Sequence, residues 1–177
     1  MEVKEEKIKV LFSWVDTSED LKPLKKFDRG YKDSENPNIM NGPTLQLMNL
    51  EIFDYVHLFY IQDDEKSQNI AAKIKETVRD YHQDFKGNPE ISSHPIPILH
   101  PADYDNMWHE VPKTVSSIIE DKYKSKSPRI FFNVSSGAPA MTSTWLLVVG
   151  SNEIEAELIS PQVDKKEKYA YLQELDL

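Results

Sequence analysis

The chain has 177 residues, enough for one ordinary domain with a sizeable core and too few for two full catalytic domains. Its 30 Asp and Glu against 21 Lys and Arg leave a formal charge of −9, which argues against a protein that wraps a long polyanion but leaves room for a small nucleotide held by backbone amides. At 39% hydrophobic and 29% charged residues it falls in the globular range, and with no cysteine it forms neither disulfides nor thiolate metal sites.

The charged start, Met1 to Lys7, leads into an apolar stretch too short and too β-branched for a signal segment, and no apolar run reaches membrane-spanning length. A cytoplasmic protein is expected. Ile8 to Trp14 is apolar on both parities, the signature of a strand covered on both faces. The stretch from Val15 to Asn41 has no periodicity, and a connection of that length is usually functional or mobile. Gly42-Pro43-Thr44 opens a short helix carrying Leu45, Met48 and Leu50, with Pro43 suited to the first helical position.

Tyr55 to Ile61 repeats the strand signature, and Asp63-Asp64 can cap the helix that follows. In that helix Ile70, Ile74, Val78, Tyr81 and Phe85 mark one buried face. Gly87-Asn88-Pro89 ends it, and a third strand lies within Ile91 to Leu99, placed near an edge by Pro95 and Pro97. A helix from about Asp103 carries Val111, Val115, Ile118 and Ile119, with a kink or short turn expected at Pro112. Arg129 to Asn133 is the next strand, followed by a nearly all-apolar helix from about Pro139 to Val149 and by strands within Glu155 to Ser160 and Lys168 to Glu174. The alternation predicts an α/β, Rossmann-like three-layer sandwich with a mostly parallel central sheet and ligand loops at the strand C-termini.

In such a sheet the ends of the first, third and fourth strands bring Ser13 to Asp16, His100 to Tyr104 and Asn133 to Gly137 to one edge. Two hydroxyls and a glycine at a helix start suit a phosphate or a ribose edge; equally, Ser136 reads as an N-cap and Gly137 as a tight turn. Lys22, Lys25, Lys26, Arg29 and Lys32 form a basic cluster, readable as a cover for phosphates or as solvated charge. Trp14, Tyr31 and Tyr104 offer rings for stacking on bases or for packing. The five histidines show no zinc-binding spacing, and G-x-G-x-x-G, P-loop and G-x-S-x-G motifs are absent, so metal enzymes, dinucleotide oxidoreductases, NTPases and α/β-hydrolases lack their markers.

The run Asn133-Val-Ser-Ser-Gly-Ala-Pro-Ala-Met-Thr142 between a strand and a buried helix resembles the signature loop of CARF domains, Rossmann-like sensors of CRISPR immunity. Leu11-Phe-Ser-Trp-Val-Asp-Thr-Ser18 is similar to that family's ligand loop after the first strand. Gly42-Pro-Thr-Leu-Gln46 and His100-Pro-Ala-Asp-Tyr104 look most like the subgroup related to the sensor of an RNA-repair transcription regulator. The resemblance implies one sensor domain over residues 1–177, the N-terminal part of a larger effector in type III CRISPR antiviral defence. It implies a homodimer that binds a cyclic oligoadenylate of four or six nucleotides in the cleft between subunits, with no long nucleic acid, membrane, metal or cofactor as partner. The implied ligand contacts are Ser13, Trp14, Asp16, Thr17, Asn41, Gly42, Thr44, Asn133, Ser135, Ser136, Gly137, Ala138, Met141 and Thr142. On this reading Gly137→Val blocks the ligand and leaves the fold largely intact. Two alternatives stand beside the sensor: a metal-independent ring nuclease in which Ser135 or Ser136 places a ribose hydroxyl, and an interaction module with an empty cleft.

Overall fold

In β1 (Lys9–Trp14) every residue after Lys9 is buried, because both faces of the strand are covered by helices. The computed structural model describes residues 7–15, 42–164 and 169–176; the basic cluster, Tyr31 and most of the long connection lie outside them. β1 is followed by α1 (Pro43–Leu50), β2 (Tyr55–Ile61), α2 (Glu65–Asp80), β3 (Glu90–Ile96), α3 (Tyr104–Tyr123), β4 (Arg129–Asn133), α4 (Pro139–Gly150), β5 (Glu157–Asp164) and β6 (Tyr169–Leu175). The six strands form one sheet in the order β3-β2-β1-β4-β5-β6, parallel throughout except for β6, which returns antiparallel to β5. The three-layer α/β sandwich expected from the sequence is therefore present.

The parity of β1 divides the core. Leu11 and Val15 face α1 and α2, packing with Leu45, Met48, Ile70, Ile74 and Val78. Val10, Phe12 and Trp14 face α3 and α4, packing with Met107, Val111, Val115, Trp145 and Val148. The chain leaves β1 toward α1 on one face and β4 toward α4 on the other, so the ends of these neighbouring strands form the switch point of the sheet, where ligands enter folds of this type.

Pro112 lies inside an unbroken 20-residue α3, against the expected kink. Met107, Val111, Val115 and Ile118 continue one buried stripe through it, and that burial outweighs the one helical hydrogen bond a proline forfeits. β3 starts at Glu90, one residue before the expected bounds, ends within them at Ile96, and sits at the edge as expected. Glu90 N–H donates to Asp54 and Ile96 C=O accepts from Gln62, so the even-numbered backbone groups face β2. Pro95, of the other parity, turns its missing donor toward the open edge and costs no ladder bond.

One polar cluster is built into the α3 side. His57 Nδ1 lies 2.8 Å from His94 Nε2, and His57 Nε2 lies 2.6 Å from the Tyr123 hydroxyl. Burial, with the neighbouring His94 and Lys122, pushes the His57 imidazole down to about 3; burial, with Lys122 and Lys75, pushes His94 down to about 4. Burial likewise drives the Tyr123 phenol upward. Unfolded imidazoles ionise near 6.5, so below that value the unfolded chain binds more protons than the folded one. Stability is full above about pH 6.5 and falls as the pH drops toward 4, by roughly 2–3 kcal/mol through His57 alone between pH 6.5 and 4.5. Urea unfolding over that range should show this decline, with a shallower slope in His57→Leu; equal slopes in the two proteins would rule out a buried neutral imidazole.

Candidate ligand-binding site

At the switch point Ser13 and Asn133, the ends of adjacent strands, are fully buried and joined directly: Asn133 Nδ2 donates to Ser13 Oγ at 3.0 Å. Ser13 Oγ in turn shares a hydrogen bond of 3.0 Å with Thr44 Oγ1 at the start of α1. The other end of the carboxamide, Asn133 Oδ1, accepts from the Ser135 N–H at 3.0 Å and from the Ser135 hydroxyl at 2.6 Å. Ser136 Oγ donates to Trp14 C=O at 2.5 Å, and Trp14 Nε1 donates to Met141 C=O at 3.0 Å. The two loops after β1 and β4 are thereby fastened to each other from beneath.

Gly137 has φ +94°, a conformation that side chains disfavour, and a Cβ there would stand 2.9 Å from Trp14 Cβ and 3.3 Å from Met141 Cβ. The glycine is demanded by the fold itself, which corrects the expectation that Gly137→Val leaves the fold intact. The N-cap of α4 is Ala138, with no side-chain cap, so Ser136 does not take the capping role that was one of its two readings. Pro139 occupies the first helical position, and among the described residues no carboxylate or hydroxyl caps the positive end of the helix.

Above this loop opens a cavity of about 760 Å³. Its lining combines Val15 just after β1, Gly137, Ala138, Pro139 and Met141 from the α4 start, and Pro97 to Pro101 beyond β3, together with Ile61 to Asp64 and Ser67. His100 is thus brought to the edge as expected, whereas Tyr104 is exposed at the start of α3 and is not part of the lining. The sequence reading missed Gln62, Asp63 and Ser67. Their place directly after β2 in a parallel sheet was the available signal, obscured because Asp63-Asp64 was read only as a cap.

Of the anticipated contacts, Asp16, Thr17 and Asn41 lie outside the described residues. Ser13, Thr44, Asn133 and Ser136 are closed from solvent and support the loops, a different task from the direct contact assigned to them. Gly42 is buried at the N-cap of α1. Trp14 takes the packing role of its two readings and not the ligand contact the resemblance implied: it is fully buried against Phe59 and Trp145. Ser135, Gly137, Ala138 and Thr142 are partly accessible, and Met141 is buried beneath the cavity it helps to line. Among the described residues no cluster of three potential metal ligands occurs, and no helix is long and apolar enough to cross a membrane.

No family model matches the sequence, and no curated protein does. Among solved structures, Enterococcus italicus Csm6 bound to cyclic hexa-2'-fluoro-hexa-dAMP matches with a TM-score of 0.59 and 24% sequence identity, over 89% of this chain and 34% of that one. The chain shares its fold with Csm6. It spans about a third of the Csm6 chain, and the likeness supports the CARF-like fold that the loop sequences imply.

Because Gly137 packs directly on Trp14 with left-handed geometry, Gly137→Ala should lower the stability of the ligand-free protein by about 1–3 kcal/mol in urea unfolding. An unchanged midpoint would show that the turn relaxes without strain.

Proposed function

We propose that the chain is a cytoplasmic sensor domain that binds a cyclic oligoadenylate and passes its state to an effector in CRISPR antiviral defence. The observation that carries this reading is the conjunction, in a Csm6-like fold, of a left-handed glycine turn, an uncapped helix N-terminus and a cavity at the switch point. The start of α4 suits a phosphate through its dipole and the Ala140 N–H, the Ala138 and Met141 N–H groups being engaged with Met141 Sδ and Ala138 C=O. Ser135 suits a ribose: its hydroxyl donates to Asn133, leaving oxygen lone pairs to accept from a sugar hydroxyl. The Csm6 neighbour, solved with a cyclic six-nucleotide analogue, supports a ligand of this class, and rings of four or six nucleotides are the candidates. That this chain spans 34% of Csm6 is in keeping with a sensor unit of a larger effector.

Binding is favoured over ring cleavage by the engagement of both loop hydroxyls, Ser135 with Asn133 and Ser136 with Trp14. Calorimetry with cyclic tetra- and hexaadenylate, followed by chromatography of the ligand, tests both points. Binding with intact ligand is expected, linear product would establish a nuclease, and no binding of either ring would end the proposal. Ser135→Ala should weaken binding by about 1 kcal/mol, roughly fivefold, and an unchanged affinity would remove Ser135 from the site.

The proposed homodimer rests on α4, whose 12 residues include no charge in a chain of net −9. Leu146 and Leu147 are exposed on it, beside the exposed Trp108 of α3, and Trp108 and Leu147 border one small groove. The hydroxyls of Thr142 and Ser143, one turn earlier on the same stripe, donate to Pro139 C=O at 3.0 and 2.7 Å, so the stripe can leave water without orphaning a donor. Like-charged copies meet at least cost across such a face. Light scattering should show a dimer that Leu146→Glu with Leu147→Glu converts to monomer; a wild-type monomer at micromolar concentration, with and without ligand, would refute the assignment.

A further inference from the structure

We propose that Gln62 and Asp63, at the close of β2, read the amino-bearing edge of a nucleobase, so that the cavity has an anion end at α4 and a donor-accepting end at β2. The inference rests on the nucleotide reading above and assigns the base-selecting part of the same site.

Two helix N-termini reach this cavity, and they differ. At α2 the Asp64 carboxylate accepts from Lys66 N–H and Ser67 N–H, both at 3.3 Å, so the helix end is already filled by an internal anion. At α4 no anion does so among the described residues: the side chain nearest a helix-start N–H is the uncharged Met141 thioether, whose Sδ accepts from Ala138 N–H at 3.4 Å. A phosphate is therefore drawn to the α4 end and repelled from the β2 end, where Asp63 and Asp64 stand side by side in the lining. A group that only donates hydrogen bonds has the opposite preference. The exocyclic amino group of adenine is such a donor, and a carboxylate or a carboxamide oxygen is its natural acceptor; a carboxamide also matches the adenine N6 and N7 pair.

The wall is held in place for this task. Gln62 N–H donates to Ile96 C=O at 2.9 Å and Asp64 N–H donates to Ile61 C=O at 3.2 Å, closing the turn on either side of Asp63, which has φ +64°. No hydrogen bond or ion pair among the described residues engages the Asp63 carboxylate. The neighbouring lining is apolar, with Ile61 and Ile98 buried beneath it and Pro97 at its side, which suits the flat face of a base.

The test compares cyclic hexaadenylate with cyclic hexainosinate, whose bases carry a carbonyl oxygen in place of the amino group. Wild type should prefer the adenylate ring by about tenfold or more, since the inosinate oxygen faces a carboxylate. Asp63→Asn suits the left-handed backbone, because Asn tolerates it, and brings a donor toward that oxygen. It should shrink the preference several-fold, partly by improving inosinate binding, a gain that an unfolded variant could not show. Gln62→Ala should shrink it by loss of adenylate affinity. Equal wild-type affinity for the two rings, or a preference unchanged in both variants, overturns this inference while leaving the nucleotide reading in place. If wild type binds neither ring, the nucleotide reading fails and takes the base assignment with it.

Discussion

The buried carboxamide of Asn133 joins two strands that the topology pulls apart. β1 and β4 are neighbours, yet their following helices depart on opposite faces, so the backbone beyond them opens and needs a tie. Asn133 supplies a donor toward Ser13 on one side, where water does not compete, and an acceptor toward the partly accessible Ser135 on the other. Aspartate at that position would lack the donor, and leucine would remove the bond to Ser13 and leave the Ser135 N–H without its partner. Through Ser13 the tie extends to Thr44 and thus to α1; through Ser135 it sets the approach to the Gly137 turn. The position of the cavity floor follows from this chain of bonds.

Net charge and local field point in different directions in this molecule. A chain of −9 repels a polyanion at long range, but at contact distance the governing charges are partial ones on backbone groups at a helix end, and these are independent of the side-chain total. The same acidity sharpens the division of labour around the cavity, because carboxylates near β2 raise the contrast with the uncharged start of α4. On the proposed reading, selectivity among anions comes from orientation, since a phosphate-bearing ligand reversed in the groove would set phosphates beside carboxylates.

The elements that the sequence disclosed were those whose surroundings are uniform. β1, β2 and β4 are covered on both faces and read as unbroken apolar runs; α2 has one face in the core, and its spacing and the Asp64 cap showed it. The turn after β4 was legible because a glycine between a strand and a buried helix marks a sharp change of direction, which its φ of +94° bears out. What stayed hidden depends on register and depth. The parity of β1 sets Trp14 with Val10 and Phe12 among the helices, and only the pairing of strands reveals that a ring beside a ligand loop is buried under it. The bond between Ser13 and Thr44 crosses a stretch of sequence without periodicity. Pro112 shows the complementary limit, since a local preference for breaking a helix was overridden by packing that local sequence does not display.

Of the three tryptophans in the chain, two belong to the ring assembly beneath the glycine turn. Trp145 stacks on Phe132 at 4.5 Å with planes 6° apart, and Trp14 lies between Phe59 and Trp145 while its indole N–H holds Met141 at the cavity margin. Trp108 stands half-exposed on α3, at the groove beside α4. The molecule consequently carries two spectrally separable reporters: a dry pair emitting at short wavelength, packed beneath the glycine turn, and a wet single ring beside the uncharged helix. Iodide quenching extinguishes the second and leaves the first, so occupancy of the cavity and burial of the α4 face can be followed in one unlabelled sample as independent optical signals.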